Sequence, residues 1–206
     1  MIAYLDTNVY IGAGYKFSSE KFATLRSLIA NGDVSIIYSS ATQGEVEQHI
    51  NDDIRTAVTK YNRVLRKELS ALMCTEDFAL NKIDEAHVVA SIKDAFADFL
   101  SLDGVTKIDL NPLDAERLMQ SYFALEAPFE TKKPHEFKDA IMINAVKQYQ
   151  KKVHDQIVIV SDDSGFRKAF EGDDNFVTIQ YLGDLIKCAI SKKKNIKILR
   201  HVLLVQ

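Results

Sequence analysis

Ile157-Val-Ile-Val160, followed at once by Ser161-Asp162-Asp163, is the stretch that decides the fold. Four consecutive β-branched residues leave no polar alternation for a wet face, and the run is too short for a helix. It reads as a strand buried on both sides. Three further runs share its character: Ile2-Ala-Tyr-Leu5, Val34-Ser-Ile-Ile-Tyr38 and Phe176-Val-Thr-Ile-Gln-Tyr181. Helical patterns separate them, as crossover helices separate the strands of a parallel sheet. The expected fold class is α/β: a central parallel sheet with helices on both faces, a three-layer α/β/α arrangement.

Between the first two runs, Phe22, Leu25, Leu28 and Ile29 fall at helical spacing and Asn31-Gly-Asp33 supplies a stop. Ser39-Ser-Ala-Thr-Gln43 reads as a helix start, with Ser40 and Gln43 at capping-box spacing, and the helix runs on through Glu45 and His49. Another helix begins near Pro134 and covers Phe137 to Gln150. From about residue 51 to 126 no strand is predicted. Ile54, Val58, Tyr61, Val64, Leu65 and Leu69 repeat with a helical period, and further helical patterns cover 83–100 and 113–125. This reads as a mostly helical insertion, either a lid or partner surface or a cover for the sheet. With no repeat, low-complexity tract or linker, residues 1–206 form one expected domain. Ile196 to Val205 fits either a last strand or a docked helix.

Among 206 residues, 26 Lys and Arg stand against 29 Asp and Glu, a formal charge of −3 that excludes a uniformly basic surface. Nucleic-acid contact would have to come from a local patch. Cys74 and Cys188 have no C-x-x-C spacing, which gives no support to a zinc ribbon or redox motif and fits a reducing, cytoplasmic compartment. Met1 to Asp6 lacks the basic and apolar regions of a signal peptide, so mature folded sequence is expected there. No apolar stretch approaches the roughly 18 to 20 residues that cross a bilayer, so no membrane partner is expected.

In open parallel sheets, ligands bind beyond the carboxyl ends of the strands, and here those positions are acidic. Asp6 follows the first run, Asp162 and Asp163 follow Val160, and Glu45 lies in the helix after the second run. Asp139 sits in Phe137-Lys-Asp-Ala-Ile-Met-Ile-Asn-Ala-Val146, a helix apolar enough to be largely buried, where an unpaired carboxylate is costly. Each acid also has an ordinary reading: a turn or N-cap for Asp6 and Asp162, a solvated helix position for Glu45, a lysine salt bridge for Asp139. With right-handed crossovers, however, all four approach one sheet edge. Acids meeting there without basic partners would repel, and a divalent cation relieves that. Oxygen-only donors suit Mg²⁺ or Mn²⁺, whereas zinc wants His or Cys. The five histidines make no H-x-x-x-H pair, and Asp162-Asp-Ser-Gly165 is too short for an EF-hand loop. His49 and His135, four residues from Glu45 and Asp139, read as supporting or surface residues.

Tyr4-Leu-Asp-Thr-Asn8, an acid in the helix after the second strand, Lys138-Asp-Ala140, and Val160-Ser-Asp-Asp163 after a late strand together resemble a PIN domain, the metal-dependent nuclease fold of toxin ribonucleases and RNA-decay endonucleases. The resemblance covers residues 1–50 and about 130–185. It implies that Asp6, Glu45, Asp139 and Asp163 form an acidic metal site, with Asp162 as a neighbouring metal ligand. It further implies that Thr7, Asn8 and Ser161 orient carboxylates or metal-held water. The sequence departs from the family in one place: Gly165 stands before Phe166 where an acid is common.

The activity so implied is endoribonuclease chemistry, hydrolysis of phosphodiester bonds through Mg²⁺ or Mn²⁺ that leaves a 5′-phosphate. Because the mechanism does not use the 2′-hydroxyl, single-stranded DNA is an alternative substrate. The other alternative is a PIN-like nucleic-acid-binding module without turnover. A receiver-type domain is a poorer fit, since it has no use for an acid at Asp139. Six lysines between 131 and 152 face only Glu136 and Asp139, and Lys132, Lys133 and Lys138 are the expected substrate contacts. A second basic cluster, 191–201, fits a phosphate guide or a lysine-rich helix end equally. Tyr10 and Tyr15 are candidates for base stacking, or else core or rim residues. The expected setting is a toxin or defence effector with a protein inhibitor or antitoxin, and the insertion offers an apolar surface for a homodimer.

Overall fold

The computed structural model describes residues 1–69, 82–111, 113–129 and 136–203, with side chains through residue 192. In chain order the elements are β1 (Ile2–Leu5), α1 (Thr7–Gly12), α2 (Glu20–Ala30), β2 (Ser35–Ser39), α3 (Ser40–Lys67), α4 (Glu85–Leu100), β3 (Val105–Ile108), α5 (Ala115–Phe123), α6 (Phe137–Val153), β4 (Ile157–Val160), α7 (Ser164–Lys168), β5 (Phe176–Ile179) and α8 (Leu182–Leu203). The five strands form one all-parallel sheet in the order β3-β2-β1-β4-β5. The three-layer α/β/α expectation holds.

Strand alternation divides the core into two. Ala3 and Leu5 of β1, Ile36 of β2, and Val158 and Val160 of β4 face a layer built from α1, α2, the first half of α3, α4 and α8. Tyr4, Ile37, Ile157 and Ile159 face the opposite layer, where α6 supplies Met142, Ile143 and Val146 and α7 supplies Phe166. Such burial on both faces is why these strands read as continuous apolar runs. The first layer is anchored by an aromatic cluster in which Tyr10, Phe17, Phe22, Phe96 and Phe99 lie with ring centroids 5.2–6.3 Å apart.

Several expectations change. A strand, β3, forms within the mostly helical stretch where none was expected, pairing Val105 through Ile108 with Ile36 through Ser39. Its burial runs intermediate, exposed, exposed, buried, because an edge strand carries Thr106 and Lys107 toward solvent, and so it lacks the apolar signature of the inner strands. Gly104, at φ +91°, makes the turn into it, and a Cβ there would lie 3.1 Å from Ile29 Cγ2. The helix at Glu45 and the one expected from Ile54 are one element, α3, whose N-cap is Ser39 rather than Ser40: the Ser39 Oγ accepts from the Thr42 N–H at 3.1 Å. Chain end 196–203 is the last part of helix α8, not a strand. The N-terminal turn of the helix expected from Pro134 lies outside the described residues, and α6 proper starts at Phe137. Tyr10 is fully buried in the aromatic cluster and cannot stack on a base, whereas Tyr15 is half-buried and donates to Asp53.

Tyr10 carries a testable cost, because its hydroxyl is buried without a hydrogen-bond partner. Tyr10→Phe should therefore stabilise the protein by about 1 kcal/mol in urea unfolding. Phe99→Ala, which empties the centre of the same cluster, should destabilise by about 3–5 kcal/mol. A loss of stability in Tyr10→Phe would show that the hydroxyl is satisfied after all.

Candidate functional site

The strand order reverses at β1, which has β2 on one side and β4 on the other, so the crevice beyond the carboxyl ends of β1 and β4 is the topological switch point. Asp6 follows β1 directly and continues its ladder, its N–H donating to the Val160 carbonyl at 3.0 Å. The side chain is turned inward and only 6% exposed. Three donors hold it: the Thr7 N–H at 2.7 Å on Oδ1, and Asn8 Nδ2 and Ser161 Oγ, each at 2.6 Å, on Oδ2. Asp6 is thereby the N-cap of α1, the ordinary role weighed for it, while also standing at the switch point.

Ser161 ties the two strand ends together. Besides donating to Asp6, its Oγ accepts from Asn8 Nδ2 at 3.0 Å and from the Asp163 N–H at 3.1 Å. Asp163 caps α7, its Oδ1 accepting from the N–H groups of Gly165 and Phe166 at 2.6 and 3.2 Å. Asp162 turns the other way: it is exposed, its N–H donates to Asn8 Oδ1 at 3.0 Å, and its carboxylate accepts from Gln180 Nε2. Glu45, in the second turn of α3, accepts from Thr7 Oγ1 at 2.8 Å and pairs with Lys138 at 2.6 Å. Thr7, Asn8 and Ser161 thus hydrogen-bond the carboxylates beside them, and Glu45 has a basic partner where none was expected.

Asp139 enters from the opposite layer on the first turn of α6, where the helix dipole favours an acid. Burial outweighs the dipole. Desolvation, followed by the charges of Asp6 and Glu136, lifts the Asp139 carboxyl to about 7. Asp6 is likewise raised to about 6, chiefly by burial, against the lowering effect of its Ser161 and Thr7 hydrogen bonds and with the charges of Glu45 and Asp163 adding to the rise. Asp139 and Asp163 line one small cleft together with Glu136, Pro128 and Gly165. In the sequence Glu136 stands only as one of two acids among six lysines, with no role at the site. Its side chain hydrogen-bonds Asp139, and it puts an acid into the cleft that Gly165 leaves without one. The signal for it was its place three residues before Asp139, at the N-cap of the same helix.

The lysines do not form one face. Lys132 and Lys133 lie outside the described residues, as does His135. Lys138 reaches the acids, while Lys147 is half-buried, donates to the Ala169 carbonyl at 2.6 Å and is lowered mainly by burial. Lys151 and Lys152 occupy the last turn of α6, where the dipole favours them anyway. Beyond Lys192, the side chains of the second cluster are outside the described residues.

By donor chemistry these residues suit a hard divalent cation: the donors are all oxygen, and two carboxyls are lifted toward neutrality by burial and by other carboxylates, a strain a cation relieves. Their spacing is more open than a closed cage. Among the described residues no three of His, Cys, Asp and Glu stand close enough together to hold one ion.

A family model described as a PIN domain matches residues 3–166. Neither the curated proteins nor the solved structures yield a match.

The raised carboxyls fix the sign of a pH dependence. In the unfolded chain both acids ionise near pH 4, so between about pH 4 and 7 the folded protein holds protons that the unfolded chain has released. Without divalent ions, stability is fully favoured below that window and is lost as pH rises through about 6 and then 7. In EDTA, the urea midpoint should fall between pH 5 and 7.5, and Asp139→Asn should remove much of the fall. A wild-type profile that rises across the same range would contradict the assignment.

Proposed function

The chain belongs to the PIN-domain family, a nuclease fold that is generally metal-dependent and acts on nucleic acid. From that premise we propose that it is an endoribonuclease that hydrolyses phosphodiester bonds with Mg²⁺ or Mn²⁺. The observation that carries this reading is the arrival of Asp6, Glu45, Asp139 and Asp163 from both sides of the sheet at its switch point, with Asp6 and Asp139 raised by burial and by other carboxylates. In this reading those four residues would supply the cation's oxygen ligands by drawing together around it, since among the described residues no three of them stand close enough to hold one ion, with Asp162 and Glu136 as flanking acids. Bound Mg²⁺ or Mn²⁺ supplies polarisation of the scissile phosphate and a lower pKa for the attacking water.

The chain's own residues do the positioning. Thr7 holds Glu45, Asn8 and Ser161 hold Asp6, and Ser161 also fixes the turn that presents Asp163. The carboxylates orient the water and take its proton, so no covalent nucleophile is needed. Lys138, together with Lys132 and Lys133, contacts substrate phosphates. None of these groups addresses the 2′-hydroxyl, so single-stranded DNA is the competing substrate.

The open spacing of the acids favours one other reading, a nucleic-acid-binding module without turnover. In either case residues 1–206 act as one domain, with 51–126 as its excursion. The setting that fits best is a cytoplasmic toxin or defence effector controlled by a protein inhibitor or antitoxin, with a homodimer formed through the insertion. No helix among the described residues is long and apolar enough to cross a membrane.

Labelled single-stranded RNA and matched DNA, incubated with Mn²⁺, Mg²⁺ or EDTA, separate these readings. The expected outcome is metal-dependent cutting of RNA, reduced about 10²-fold or more by Asp139→Asn. Undiminished cutting by that variant would overturn the site. RNA binding with no cutting in any metal would establish the binding module.

A further inference from the structure

Tyr181 stands between β5 and α8 with 57% of its surface exposed, and it lines a groove that opens beside the switch point. The groove encloses about 610 Å³, the size of an ordinary small-ligand pocket. Val9, Gly12 and Ala13 of α1 and the buried Phe22 and Leu182 give it an apolar lining. A Cβ at Gly12 would meet nothing within 4 Å, so α1 leaves the space open. The groove is continuous with the acids through Asn8, which lines it while donating from Nδ2 to Asp6 at 2.6 Å and accepting the Asp162 N–H on Oδ1 at 3.0 Å. Asp162 lines the groove too, its carboxylate held there by Gln180 Nε2.

We propose that this groove is a base-binding subsite, in which Tyr181 stacks on an unpaired nucleobase of a single-stranded substrate whose neighbouring phosphate lies at the acids. The inference rests on the nucleic-acid reading above. Charge decides which part of a nucleotide enters. Among the described residues that line the groove, Lys21 is the one cation and stands against Glu20 and Asp162, so a phosphate gains nothing there. A base is neutral and flat, and suits apolar walls beside an exposed ring. It must be unpaired, because in a duplex both of its faces are covered by stacking. The hydrogen bond to Asp162 fixes the Gln180 amide at the rim, where its second N–H and its carbonyl oxygen can meet a base edge. Tyr181 thereby supplies the stacking surface that Tyr10, buried in the aromatic cluster, does not.

Affinity for a labelled single-stranded RNA oligomer, read by fluorescence anisotropy in EDTA and low salt so that binding is measured without cutting, tests this in the whole chain. Tyr181→Ala should weaken binding about 5- to 100-fold, and Tyr181→Phe should retain it, since stacking uses the ring and not the hydroxyl. On an abasic oligomer of the same length, or on duplex RNA, Tyr181→Ala should cost nothing, because there is no free base face to lose. Undiminished binding of the single strand by Tyr181→Ala overturns the proposal and leaves the groove to a protein partner. A loss that persists on the abasic oligomer or the duplex, or one that Tyr181→Phe shares, overturns it as well, since the ring would then act through something other than stacking. Failure of the underlying reading looks different: wild type binds neither RNA nor DNA, and the proposal falls with it.

Discussion

Asp6 is an ionisable group at 6% exposure, and the geometry of the switch point depends on how it is held. A buried carboxylate is tolerated only when its lone pairs are filled. Here the donors come from both central strands: Thr7 and Asn8 from the chain leaving β1, Ser161 from the chain leaving β4. The hydrogen bonds that satisfy one acid therefore lock two strand ends together. The same Ser161 hydroxyl receives the Asp163 N–H, so the orientation of a second acid follows from the burial of the first.

From this knot the electrostatics of the site unfold in order of distance from β1. Glu45 is tied through Thr7, the residue that begins α1, so the first turn of that short helix joins the sheet to α3. Asp139 has no such tie to β1 and comes from the other layer. Its position depends on α6 packing Met142, Ile143 and Val146 against Tyr4, Ile157 and Ile159. That division explains why Asp139 is lifted further than Asp6. Asp6 is more buried, but its donors favour the ionised form, whereas burial, the charges of Asp6, Glu136 and Glu45 and the Glu136 hydrogen bond all raise Asp139.

The inner strands were legible because burial on both faces leaves an unbroken apolar run, and the helices of the excursion were legible by period. β3 was not, for the converse reason: Val105-Thr-Lys-Ile108 sits at an edge and keeps only one well-buried residue, so its identity comes from pairing with β2 and not from composition. The acids at the strand ends could be read because topology alone predicts where a parallel sheet binds its ligand. What the acids touch could not. The Lys138–Glu45 pair spans 93 positions, and Glu136 matters only because α6 starts immediately after it. Tyr10 shows the limit from the other direction, since a tyrosine two residues past a motif can point to solvent or to core, and only packing by Phe96 and Phe99 decides.

A polyanion approaching this crevice meets a contradiction that the fold itself creates. The carboxylates that would organise hydrolysis repel the phosphates that must enter, and the chain as a whole is negative, with a formal charge of −3. Attraction must then be local and must arise at the acids themselves. Lys151 and Lys152 stand at the opposite end of α6 from Asp139, and Lys147 is held by the Ala169 carbonyl. Among the described residues of α6, that leaves Lys138 as the positive group at the mouth, and Lys138 is spent on Glu45.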